Sequence, residues 1–122
     1  MLRALLVVTV LVAAMPAHAE RSVIVGAGIG TCGEMGKLYR QSPDEARTLF
    51  NSWSQGFLTA MNLARWQLGL RETTIELFPP GWNADRQWRY LMRYCNQHPL
   101  AQFIEAVDAL LQELYATNKA QP

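Results

Sequence analysis

From residue 20 onward, the apolar positions of this chain fall into four stretches with helical spacing and one stretch that breaks it. The first runs from about Cys32 to Gln41, where Cys32, Met35 and Leu38/Tyr39 recur at three- and four-residue intervals. Thr31 followed by Glu34 forms a capping-box pattern at its start. The second begins at Ser42-Pro43-Asp44-Glu45, a cap residue with proline at the first helical position, and continues to about Leu68, with Gly69 as a stop. Phe50, Trp53, Phe57, Met61, Ala64 and Leu68 make its apolar stripe. Gly56, Ala60 and Ala64 form a small-residue ridge beside it. Gly56 should cost about 1 kcal/mol against alanine, so a close helix approach is expected there.

The period is lost over residues 70–82. Thr73 to Phe78 favours extended structure, and Pro79-Pro80-Gly81 is a turn. The third stretch starts at Asn83, a good cap, with Asp85 in the first turn and Trp88, Leu91, Met92 and Cys95 on one side. The fourth starts at Pro99 and ends near Ala116, with Leu100, Phe103, Ile104, Val107, Leu110, Leu111 and Leu114 on its apolar face. His98-Pro99 should turn the last two stretches into an antiparallel hairpin. The expected fold is all-α: a small four-segment helical bundle with a flexible, Gly-rich N-terminal arm and a short extended segment at 73–78.

The first 19 residues read differently. Arg3 precedes an apolar core, and Ala17-His18-Ala19 has the form that signal peptidase cuts. The apolar core is about twelve residues long, short for a membrane span. Residues 1–19 are therefore expected to be a cleaved signal peptide, 20–117 a helical domain, and 118–122 a flexible tail. The expected location is the periplasm, with no membrane span in the mature chain. Removing Arg3 with the leader leaves equal numbers of positive and negative side chains. That argues against nucleic acid as the main partner, because phosphate contact needs a surplus of Lys and Arg.

Export changes the reading of the only two cysteines. In an oxidising compartment Cys32 and Cys95 have a single internal pairing, which would close the bundle. By the chain-entropy argument such a bridge stabilises by roughly 4 kcal/mol. The rival reading is a reactive thiol: Cys32 at a helix start would be acidified. With no Cys-x-x-Cys and a second cysteine at hand, the bridge is the stronger expectation. Gly28-x-Gly30-x-x-Gly33 matches a dinucleotide fingerprint, but the chain offers no second parallel strand and no room for two mononucleotide halves. The match is read as accidental.

No catalytic set emerges. His98 is the only histidine after the leader, and Cys95-x-x-His98 supplies at most two zinc ligands. No serine lies in a nucleophile elbow, and Asp44-Glu45 is explained by capping. Neither metal nor cofactor is expected, and the chain is read as a non-enzyme. Candidate partner-binding residues are Trp66, Trp82, Arg86, Arg89 and Arg93. The arginines share the side of the third stretch opposite its core face, with Tyr90 among them. They form a cationic strip for an acidic partner, or a solvated face paired to Glu105 and Asp108. Trp66 points away from the stripe of the second stretch. The 70–82 loop would then cover it, or it marks a partner site. Trp82 in its turn poses the same choice.

Three clusters recur together: Thr31-Cys32-Gly33-Glu34, Ser52-Trp53-x-x-Gly56-Phe57-Leu58-Thr59-Ala60-Met61-Asn62, and Tyr94-Cys95-x-x-His98-Pro99-Leu100. The set resembles a group of small exported bacterial proteins with a "CG…W.GFL.G.N…YC..HPL" layout. Ala60 departs from the glycine of that layout. The plan is similar to periplasmic immunity proteins that neutralise secreted amidase effectors, and to periplasmic acid-stress chaperones. It carries over no functional residues. It implies a periplasmic helical protein with one disulfide. The absence of a catalytic set, with the loop aromatics and the arginine strip, points to another protein as partner, and a homodimer is compatible with this. The expected function is non-catalytic protein binding of immunity or inhibitor type. The alternatives are a stress chaperone and an envelope secretion accessory protein.

Overall fold

A computed structural model describes residues 24–121. The expected signal peptide, residues 1–19, lies outside the described residues. Four α-helices, α1 (Cys32–Gln41), α2 (Pro43–Gln67), α3 (Ala84–Gln97) and α4 (Phe103–Lys119), form a bundle closed by a Cys32–Cys95 disulfide. Short 3-10 turns occupy Gly26–Ile29 and Arg71–Thr73, and the described residues hold no β-strand. No helix among them is long and apolar enough to cross a membrane.

Local chemistry explains the helix starts. The Thr31 hydroxyl accepts from the Glu34 N–H, while the Glu34 carboxylate accepts from the Thr31 N–H at 2.7 Å. Pro43 sits in the first turn of α2, where its missing N–H costs nothing. The Asn83 side chain accepts from the Arg86 N–H. The fourth helix departs from expectation. Pro99 and Leu100 form a turn, and α4 begins at Phe103 behind Gln102, whose N–H donates to the Glu105 carboxylate. Leu100 consequently stands 91% exposed rather than in the core.

The core is assembled from α4 outward. Phe103, Ala106, Val107, Leu110, Leu111 and Leu114 are buried against Phe50 and Leu58 of α2, Met35 of α1, and Trp88 and Leu91 of α3. The inward face of α2 is turned relative to the expected stripe. Ala46, Phe50, Ser54 and Leu58 are buried, with Trp53, Phe57 and Met61 packed beside them. Ala64 and Leu68 lie at the surface. Gly56 is exposed, and a β-carbon there would meet nothing within 4 Å, so no helix approaches it.

The glycine-rich arm is part of the core rather than a flexible lead. Gly28 is buried beneath the Trp53 indole, where a β-carbon would stand 2.1 Å from a ring carbon. The indole Nε1–H donates to the Val25 carbonyl, and the ring stacks on Phe57 and meets the edge of Phe103. The arm also pairs with the turn before α4. Cys32 donates to Ala101, Gly33 to Pro99, and Phe103 to Gly30, each at 2.8 Å. These bonds and the disulfide fix the start of α1 against the α3–α4 corner.

Of the expected extended segment 73–78, Thr73 instead ends the second 3-10 turn, and residues 74–76 run without strand pairing into a bend at 77–78, held by side-chain amides. Asn62 of α2 both donates to the Ile75 carbonyl and accepts from its N–H. Asn118 of α4 does the same for Glu76, and Gln87 of α3 donates to the Leu77 carbonyl. Ile75 and Leu77 pack on the core while Glu76 and Phe78 face out, the alternation of extended chain. Asn118 is therefore a fixed helical residue, where a flexible tail was expected to begin.

Candidate functional site

The start of α1 has no capacity left for a ligand. The amide N–H groups of Cys32 and Gly33 go to Ala101 and Pro99, that of Glu34 to the Thr31 hydroxyl, and that of Thr31 to the Glu34 carboxylate. An anion-binding helix start needs these four donors. Cys32 is joined to Cys95, with their Cα atoms 4.7 Å apart, and is not a reactive thiol. The glycines serve packing: Gly28 admits the indole, and a β-carbon at Gly33 would press on the Pro99 carbonyl at 3.1 Å. The Glu34 carboxyl is held below the usual carboxylate range by the Thr31 N–H, with the Thr31 hydroxyl adding to it.

His98 closes α3 with its ring 4.5 Å from that of Tyr94. Among the described residues, no three His, Cys, Asp or Glu side chains are grouped to hold a metal ion.

The two candidate tryptophans separate. Trp82 is 6% exposed; its indole donates to the Thr117 hydroxyl at 3.0 Å and lies edge-on to Tyr90. It closes the end of the core and cannot be a surface contact. Trp66 is 52% exposed; from the 70–82 segment Arg71 lays its guanidinium 4.1 Å from the ring centre, and Thr74 lines the same depression. Leu63, Leu68 and Leu70, nearby in sequence, are exposed as well.

The three arginines do come together. Arg86, Arg89 and Arg93 line one open groove of about 640 Å³ between α1 and α3, with Tyr39, Trp88, Met92 and Asn96. Tyr39 of α1 and Trp88 of α3 meet across it at 6.0 Å. Arg86 is fixed: it donates to the Gly81 carbonyl at 2.9 Å and covers the Trp82 ring at 4.4 Å. Arg93 reaches over Tyr90 at 5.9 Å. The Arg89 side chain makes no hydrogen bond, ion pair or ring contact with another described residue. The expected pairing to Glu105 and Asp108 does not occur. Those carboxylates border a separate depression with Phe57 and Tyr94. The one ion pair among the described residues joins Arg47 of α2 to Asp85. Asp85, one turn before Arg89, is thereby held away from it.

Tyr90 belongs to the seam with α4 more than to the strip. It packs on the core, and burial, with the Glu113 charge next, pushes its hydroxyl above the ordinary tyrosine value. Sequence reasoning found the groove's charged wall and missed its floor. Periodicity alone assigns Tyr39 and Met92 to the core face. Their outer edges become groove floor only once α1 lies beside α3, which no local signal reveals. No family model, curated protein sequence or solved structure matches this chain.

Proposed function

We propose that this chain is an exported, non-catalytic protein that acts by binding another protein, in the manner of an immunity or inhibitor protein, through the α1/α3 groove. The observation that carries the reading is the groove itself. It combines an apolar floor with three arginines that have no acidic partner among the described residues, on a scaffold held by a disulfide. Interfaces are enriched in aromatic residues, Met and Arg, and this groove has all three. The disulfide and the absence of a spanning helix among the described residues fit an exported protein.

The test is capture of secreted effector proteins from the same envelope by the purified chain, repeated with Arg89→Glu and Arg93→Glu. Both side chains are exposed, so the variants should fold. Loss of capture is expected; undiminished capture by both variants removes the groove from the account.

A second reading, a stress chaperone, draws on the exposed Leu63, Trp66, Leu68 and Leu70 at the end of α2. Acid would neutralise the carboxylates and leave the chain positive, loosening the bundle around its disulfide. A chaperone at about pH 2–3 gains dye-binding apolar surface and keeps clients soluble, whereas an immunity protein only unfolds.

A further inference from the structure

Resting on the reading of the groove as a protein contact, we propose that its occupant is an acidic segment of the partner. Its carboxylates sit on Arg86, Arg89 and Arg93, and one apolar side chain sits on the half-buried Tyr39 and Met92, with the buried Trp88 behind them.

The charge argument is direct. The groove is lined by three guanidinium groups and no carboxylate. Asp85, the acid nearest Arg89 on its own helix, is committed to Arg47. Arg89 has an unfilled fork of five donors. Guanidinium matches a carboxylate through two parallel hydrogen bonds, which a lone ammonium cannot reproduce.

The geometry selects further. Positions 86, 89 and 93 lie about 4.5 and about 6 Å apart along α3, from the 1.5 Å rise per residue. Carboxylates three and four positions apart on a partner helix repeat that spacing. Arg86 is already ordered by Gly81 and Trp82, so seating a carboxylate on it sacrifices little side-chain freedom. The volume, about 640 Å³, lies within the range of clefts that enclose a ligand and holds several side chains. A free phosphate would satisfy an arginine but leave Tyr39 and Met92 bare. A nucleic acid is disfavoured by the chain's near-zero net charge.

The test uses a fluorescent, end-capped helical peptide with four glutamates around one phenylalanine. Two analogues accompany it: all glutamates changed to glutamine, and phenylalanine changed to alanine. Anisotropy is read at about 20 and about 150 mM salt. The acidic peptide should bind roughly tenfold tighter than the glutamine analogue, as two or three exposed charge pairs allow, and weaken with salt. The alanine analogue should also bind more weakly. Arg89→Glu should lose binding at least tenfold and Arg89→Lys should lose part of it, while Lys119→Glu, outside the groove, should bind as the parent does. Circular dichroism confirms that each variant is folded.

Equal binding of the acidic and glutamine peptides overturns the proposal. So does an equal loss from Lys119→Glu, which would show diffuse attraction rather than a site. Either outcome leaves the effector capture described above as a separate test of protein binding.

Discussion

Replacing Gly28 and Gly56 with alanine should move stability in opposite directions. At Gly28 a β-carbon would lie 2.1 and 2.3 Å from two ring carbons of Trp53, where carbon atoms normally rest about 3.5–4.0 Å apart. The indole must shift by more than an ångström. It is held by stacking on Phe57 at 5.5 Å, by the edge of Phe103, and by the 3.0 Å bond to Val25. Overpacking of this kind costs about 1–3 kcal/mol. Losing the indole hydrogen bond adds about 1 kcal/mol. The expected sum is about 2–4 kcal/mol, or a melting point lower by roughly 10–25 °C for a domain near 100 residues. Gly56 lies within α2 with open space where a side chain would go, so alanine there should add about 0.5–1 kcal/mol through helix propensity. Urea unfolding followed by both tryptophan fluorescence and circular dichroism measures the two shifts. A Gly28→Ala variant within about 0.5 kcal/mol of the parent would refute the packing of the arm on Trp53.

Three further outcomes follow from the same contacts. Cys95→Ala should destabilise by up to about 4 kcal/mol, because the bridge spans a sequence separation of 63; an unchanged urea midpoint would contradict this. Asn118→Ala removes both bonds to Glu76 and should cost about 1–2 kcal/mol while exposing residues 74–78 to limited proteolysis; unchanged cleavage would argue against the amide clamp. For Glu34, hydrogen bonds from Thr31 lower the folded-state pKa, so its contribution is full above the unfolded carboxylate value and fades as pH falls through the folded one. Glu34→Gln should therefore flatten part of the acid limb of the stability–pH curve below about pH 4.3, and an identical limb would contradict it.

What was legible in the sequence was local. The cap residues Thr31 and Asn83 and the proline at Pro43 act within one turn, so the starts of α1, α2 and α3 could be read directly. The start of α4 could not. Gln102 is not among the preferred cap residues, and Pro99 looked like a helix start although it occupies the turn before one. The arm was misread for a related reason. Glycine spacing says nothing about an indole arriving from 25 residues or more away. The disulfide needed only a compartment and a count of two. The groove needed the relative placement of α1 and α3, so its arginines were visible while its aromatic floor was not. Trp66 and Trp82 looked alike in sequence. Their fates diverge because Thr117 and Tyr90 enclose one, while the other, with Arg71 over its ring, stays half exposed.

Site-directed photo-crosslinking in intact cells addresses the central claim most directly. A photoreactive residue replaces Asn96 at the edge of the groove, or Thr48 on an exposed face of α2 as the control. The account predicts a discrete protein adduct from position 96 that disappears with Arg89→Glu and is absent from position 48. An adduct that persists through the charge reversal, or one formed only at position 48, would contradict it.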